Sequence, residues 1–127
     1  MNTNVTQMQQ RCPDAILMGV GTLSNYRLTF SSFADVVVDK HSAVAGVVWD
    51  ITDDCLEALD WFEGYPHSYN REIKEIEMDG KTMEALCYYM VGDRPFIPPH
   101  REYLKLVIAG YRQNGIAMGQ ISDALTV

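Results

Sequence analysis

The chain has 127 residues, 47% hydrophobic and 21% charged, with a formal charge of −7. That makeup suits one globular domain over residues 1–127, large enough to bury a core without cross-links. Only ten basic residues are present, scattered, and the pI is near 4.7, so nucleic acid and anionic membrane are excluded as partners because both need clustered Lys and Arg. No basic-plus-apolar leader precedes the first element. No apolar run approaches the ~18 residues that would span a bilayer. The expected location is the cytoplasm, and Asn4-Val5-Thr6, although it fits a glycosylation sequon, then carries no weight.

In chain order, residues 1–12 predict a short helix: Asn2, Thr3 and Asn4 offer capping oxygens, Val5 and Met8 share a face, and Pro13 forbids continuation. Residues 14–22 carry an apolar strand. A turn is expected at Ser24-Asn25, then an alternating strand Tyr26-Arg27-Leu28-Thr29-Phe30. Val36-Val37-Val38 reads as a short strand and Asp39-Lys40-His41-Ser42 as a polar connection. Residues 43–51 are β-rich and almost wholly apolar, which predicts a central strand. Thr52 or Asp53 caps a helix over 54–62, with Cys55, Leu56, Leu59 and Phe62 on one stripe. Residues 69–78 and 81–90 form a hairpin across Asp79-Gly80. Prolines at 95, 98 and 99 break the chain, and an amphipathic helix follows over 100–114, stopped by Asn114-Gly115. A last short helix covers 119–125. Strands in two groups separated by single helices predict an α+β fold with a largely antiparallel, barrel-like sheet.

Most candidate chemistry falls away on inspection. Gly19-Val20-Gly21 lacks a third glycine and leads into a strand, so no helix N-terminus is offered to a pyrophosphate. His41, His67 and His100 are dispersed without metal-ligand spacing, and no metal is expected. No serine sits in a nucleophile elbow. Glu72, Glu75 and Glu77 lie in a strand and are read as solvated. The three cysteines, Cys12, Cys55 and Cys87, form no C-x-x-C pair and neighbour apolar residues, so buried free thiols are expected and a disulfide is not.

One segment stands apart: Leu59-Asp60-Trp61-Phe62-Glu63-Gly64-Tyr65-Pro66-His67-Ser68-Tyr69-Asn70-Arg71. Glu63 places a negative charge at the wrong end of the helix dipole, which usually costs a few tenths of a kcal/mol. Gly64 suggests a left-handed stop that turns the backbone and could aim the acid into a cavity. A glutamate at a helix end is ordinarily just solvated. Its aromatic company of Trp61, Phe62, Tyr65 and Tyr69 could instead build an apolar pocket and make it a general base.

These residues closely resemble the active-site segment of the gamma-glutamylcyclotransferase-like family, which includes the avirulence-induced plant proteins and the gamma-glutamylamine cyclotransferases. Arg11-Cys12-Pro13 leading to Gly19 and Gly21-Thr22-Leu23, then Tyr26-Arg27-Leu28-Thr29-Phe30, is similar to the family's early strands. Ala45-Gly46-Val47-Val48-Trp49 resembles a later one, and Pro99, Tyr103, Gly110 and Asn114-Gly115 its C-terminal helix. The resemblance runs from Met1 to about Ile116.

It implies a small, mostly antiparallel β-barrel with flanking helices, and conversion of a gamma-glutamyl amine or amino acid to 5-oxoproline and free amine. It implies Glu63 as catalytic acid/base, no cofactor, and Tyr69, Tyr88, Gly64 and Tyr65 around the substrate. Ordinary packing is the competing reading of Tyr69 and Tyr88. His67 and residues 94–100 are candidate contacts for the departing amine. Family members begin with a strand ending in a Tyr-Gly-Ser/Thr loop whose amides hold the substrate, and Met1-Asn2-Thr3 does not match it. A start called too late, a truncated chain or a natural variant would each give this difference; true loss of the loop would weaken the oxyanion site by ~100-fold or more in rate per donor. It also implies an open sheet edge that invites homo-oligomers. The alternative function is a non-catalytic ligand-binding or interaction module on the same fold.

Overall fold

The computed structural model describes residues 2–126; Met1, in the expected first helix, lies outside them. That helix, α1 (Val5–Arg11), is opened by Asn4, whose side-chain oxygen accepts the Gln7 amide at 2.9 Å. Pro13 disfavours helical backbone at the residue before it, and the helix ends ahead of Cys12.

Two long strands follow, β1 (Ile16–Ser31) and β2 (Phe33–Asp50), paired antiparallel from Ile16↔Asp50 to Ser31↔Phe33. The turn expected at Ser24-Asn25 is a kink inside one continuous strand. Asn25 takes a left-handed backbone (φ 68°), which asparagine tolerates, and the ladder absorbs it at a register shift. The reversal sits instead at Ser32 (φ 65°), whose N–H donates to the Ile97 carbonyl at 2.9 Å. Residues 36–38 and 43–51 likewise belong to one run. Asp39-Lys40-His41-Ser42 swells out between the pairs Tyr26↔Val38 and Ser24↔Ala43. The Asp39 carboxylate holds that bulge, accepting from the His41 amide at 3.1 Å and the Ser42 hydroxyl at 2.8 Å.

Thr52 caps α2 (Asp53–Glu63), its hydroxyl accepting the Cys55 amide at 3.1 Å. Strands β3 (Tyr69–Met78) and β4 (Lys81–Met90) form the expected hairpin, with Asp79 and Gly80 both at positive φ (54° and 74°). His100 caps α3 (Arg101–Asn114), which Gly115 ends in a left-handed turn, and α4 (Gly119–Leu125) closes the order.

The sheet is antiparallel, as expected, but among the described residues it is not a closed barrel; the strand order is β2-β1-β3-β4. β2, expected to be central, is an edge. Its apolar run serves a cavity of about 580 Å³ between β2 and β4, lined without a break by Val44-Ala45-Gly46-Val47-Val48-Trp49-Asp50-Ile51 and by residues 83–88. A cavity under one face of a strand would touch alternate residues, so this one lies against the two open strand edges. At one point the β2 edge is covered: the Gln120 side chain of α4 accepts the Ala45 N–H at 3.0 Å and donates to the Ala45 carbonyl at 2.9 Å.

Phe30 and Tyr111, both fully buried, centre the main core with Leu28, Ile76, Val107 and Ile121. A second core joins α1 to α2 through Met8, Cys12, Cys55 and Leu59. Here the expectation of free thiols at Cys12 and Cys55 is corrected: they form a disulfide, with Cα atoms 5.2 Å apart. The partners are 43 residues apart and meet only through helix packing, so spacing could not reveal them. Thiol titration of unreduced, denatured protein is expected to find one free cysteine, Cys87, and three after reduction; three before reduction refutes the bond. No helix of the described residues is long and apolar enough to cross a membrane.

Candidate active site

Gly64 makes the left-handed stop that the sequence demands, at φ 68°. Its N–H donates to the Trp61 carbonyl at 3.2 Å, and the Tyr65 N–H reaches back to Asp60 at 2.9 Å. The Gly64 carbonyl then accepts from His67 and Ser68, and the Tyr65-Pro66 bond is cis. A Cβ on Gly64 would approach the Ser68 hydroxyl to 3.0 Å, so glycine serves both the backbone and the packing of this turn. Glu63 is thereby set half-buried at the mouth of the turn. No described residue makes a hydrogen bond or ion pair to its carboxylate.

The aromatic surroundings differ from expectation. Trp61 is 79% exposed and Phe62 49%, so neither walls a pocket; they meet edge to face at 5.2 Å on the surface. Phe62 and Tyr65 carry cations instead: the Arg11 guanidinium lies 4.7 Å above one ring and that of Arg71 4.4 Å above the other. The rings whose hydroxyls sense the Glu63 charge are three tyrosines. Burial pushes the phenols of Tyr69, Tyr88 and Tyr103 up from their ordinary values, and in each case the negative charge of Glu63 pushes further. All three are therefore neutral hydroxyls at physiological pH.

Each hydroxyl is held by a partner that sequence reasoning missed. Tyr69 donates to the Ala34 carbonyl at 2.6 Å, and the Tyr103 oxygen accepts the Ala34 N–H at 3.0 Å. Tyr88 donates to Asp60 at 2.7 Å. Asp60 also binds Arg71 in a two-pronged contact, at 3.0 and 3.2 Å, which gives the arginine of the sequence motif a positioning part. Nothing local in the sequence marks Ala34 as the hub of two tyrosines, since both bonds use its backbone.

Asp35, next along β2, is buried at 7% exposure. One of its oxygens accepts the Val36 N–H at 2.8 Å and the Met90 N–H at 2.9 Å, pinning the end of β4 to the start of β2. Burial raises its carboxyl above the ordinary aspartate range, outweighing those two bonds. A folded-state value above the unfolded one means that the native protein holds the proton longer. The stabilisation that this brings is complete at low pH and is lost as pH rises through the folded-state value. Asp35→Asn, which keeps an acceptor and removes the charge, is expected to flatten this loss. Asp35→Ala should destabilise by about 2 kcal/mol, leaving the Met90 N–H without its acceptor. Chemical denaturation across pH distinguishes the two variants.

Of the expected site residues, Glu63, Tyr69 and Tyr88 are brought together, with Gly64 and Tyr65 forming the turn beside them. His67 is exposed, and Arg94 donates its Nε to the Val91 carbonyl at 2.8 Å. The large apolar cavity touches this cluster only through Leu59 and Tyr88; Glu63, Tyr69 and Tyr103 do not line it. Its walls are mostly apolar, with Asp50 and Glu84 the charged residues among them. Among the described residues no three His, Cys, Asp or Glu side chains are grouped to hold a metal.

The arrangement matches known proteins. A solved structure described as a gamma-glutamyl cyclotransferase superposes with a TM-score of 0.86 at 22% identity, covering 99% of this chain and 82% of that one. An uncharacterized protein from Homo sapiens gives 0.83, also at 22% identity, with the same coverages of 99% and 82%. An AIG2-like protein from Mus musculus gives 0.61 at 20% identity, over 78% of this chain and 76% of that one. At those identities the likeness establishes the fold. No curated protein matches the sequence. The family profile described as gamma-glutamyl cyclotransferase, AIG2-like matches residues 1–105, most of the chain. By that match, and with the fold in agreement, the chain belongs to the gamma-glutamyl cyclotransferase, AIG2-like family.

Proposed function

We propose that the protein is a cyclotransferase that releases 5-oxoproline and a free amine from a gamma-glutamyl amine or amino acid, with Glu63 as the proton carrier. The observation that carries the reading is a glutamate with no hydrogen-bond or ion-pair partner among the described residues, set at a helix stop and felt by three neutral tyrosine hydroxyls. Membership of the family supports the reaction class.

The chemistry follows from the substrate. Its α-nitrogen arrives as an ammonium and cannot attack until it loses a proton. Glu63, as carboxylate, takes that proton. The freed amine adds to the γ-carbonyl carbon of the same molecule, forming the new C–N bond of a five-membered lactam. The old C–N bond breaks as protonated Glu63 returns the proton to the departing nitrogen. The second proton shed by the attacking nitrogen leaves with the product amine as its ammonium. No water is consumed, and attack within one molecule makes positioning a large part of the acceleration. The tyrosines would flank the substrate, while the pinning of their hydroxyls by Ala34 and Asp60 keeps them from rotating away.

The test is release of 5-oxoproline from a panel of gamma-glutamyl dipeptides and gamma-glutamyl amines. Turnover of at least one, lost on changing Glu63, supports the reading. A protein that binds these compounds but turns over none of them is the non-catalytic module instead.

A further inference from the structure

The γ-glutamyl group carries a carboxylate on the same carbon as its reacting ammonium, and a site with Glu63 alone would leave that negative charge beside its own. A cation near Glu63 would offset it, and several of the chain's arginines already have partners. Arg71 is bound by Asp60, Arg27 lies 3.6 Å from Asp39, and Arg94 donates its Nε to Val91. Arg94, Arg101 and Arg112, like Arg11, pair with no carboxylate among the described residues, but they are exposed and Arg11 is half-buried. Its guanidinium lies over Phe62, the residue immediately before Glu63. The Cys12–Cys55 disulfide ties the end of α1 to the first turn of α2, the helix whose far end is Glu63. The Tyr103 phenol senses both charges: burial raises it, the Ala34 N–H lowers it, Glu63 raises it further and Arg11 lowers it.

We propose that Arg11 is the carboxylate anchor of the site, gripping the α-carboxylate of the γ-glutamyl group while Glu63 faces its α-ammonium. This rests on the cyclotransferase reading for the identity of the ligand. An arginine suits the task because its planar fork presents two parallel N–H donors to a carboxylate. Phe62, under the guanidinium, presents that fork without neutralising it. The disulfide then acts as the strut that keeps anchor and base at a fixed separation.

The probes are γ-L-glutamyl-ethylamide and the same compound with its α-carboxylate converted to a carboxamide. Their binding is measured by calorimetry in the Glu63→Gln protein, which is expected to hold them without turnover. The carboxylate form should bind at least 10-fold more tightly than the carboxamide. Arg11→Ala should erase that preference, Arg11→Lys should restore part of it, and Arg94→Ala should leave it intact. If Arg11→Ala fails to fold, Arg11→Gln makes the same comparison. A preference that survives loss of Arg11, or that is lost with Arg94 instead, overturns the anchor, as does no preference at all. A preference that depends on Arg11 in a protein releasing no 5-oxoproline would keep the anchor and sink the catalytic reading. Cyclisation of both compounds at equal kcat/KM, the first to 5-oxoproline and the second to 5-oxoprolinamide, would do the reverse.

Discussion

Glu63→Gln is expected to lower kcat for 5-oxoproline release by about 1,000-fold while leaving KM within a few-fold, the size associated with losing a positioned acid/base. The substitution keeps the size of the side chain and the helix stop at Gly64, so the tyrosine cluster should persist. What it removes is the ability to take a proton from an ammonium. Glu63→Asp should retain part of the rate, because the carboxylate survives but is drawn back by one methylene. Steady-state kinetics on any substrate that the panel identifies will decide. Full activity in the glutamine variant would remove Glu63 from the mechanism, and a parallel rise in KM alone would make it a binding group.

The largest structural effect is expected at Gly110, on the buried face of α3. A Cβ there would come within 2.6–2.7 Å of the Thr3 and Asn4 backbone. That segment is tied to α3 from several directions. Asn4 donates to the Leu106 carbonyl at 3.0 Å, Asn114 donates to the Thr3 carbonyl at 2.9 Å, and Gln113 accepts the Val5 N–H at 2.8 Å. Backbone so held cannot yield as a side chain would. Gly110→Ala should therefore destabilise by about 2 kcal/mol or more, despite alanine's better helix propensity. The thermal midpoint should fall by roughly 5–10 °C. Gly119→Ala is the matched control, since nothing lies within 4 Å of the added carbon; it should be neutral or mildly stabilising. A Gly110→Ala protein as stable as the parent would mean that the N-terminal segment does not lie where it is described. Because α1 begins in that segment and ends at Arg11, loss of the packing should also weaken ligand binding.

What could be read in the sequence was local. Asp79-Gly80, Gly64, Gly115 and the caps at Asn4 and Thr52 have side chains or backbone preferences that act within a few residues, and their elements lie where expected. Glu63 was legible for the same reason, as a charge set against its own helix. Asn25 misled because the same left-handed preference serves a turn or a bulge, and only the partner strand decides between them. The central place expected for β2 followed from an apolar run, which an edge beside a mostly apolar cavity produces equally well. Ala34 and Asp35 were invisible as organisers because their work is done by backbone groups and by a carboxylate that reaches 55 residues along the chain to Met90. Trp61 and Phe62 look like pocket walls in a string of letters, yet the phase of α2 turns them outward.

The single side chain of Gln120 has a consequence for how the molecule behaves in a crowd. With one amide it gives Ala45 the donor and the acceptor that an incoming strand would offer, while also donating to the Tyr111 hydroxyl in the core. The β2 edge is therefore not a bare template along its length: at this point α4 has stoppered it. A foreign strand that docks there must first evict an amide anchored to the interior. At Ala45 that protection comes from the last helix, an element remote in sequence from the strand that it covers.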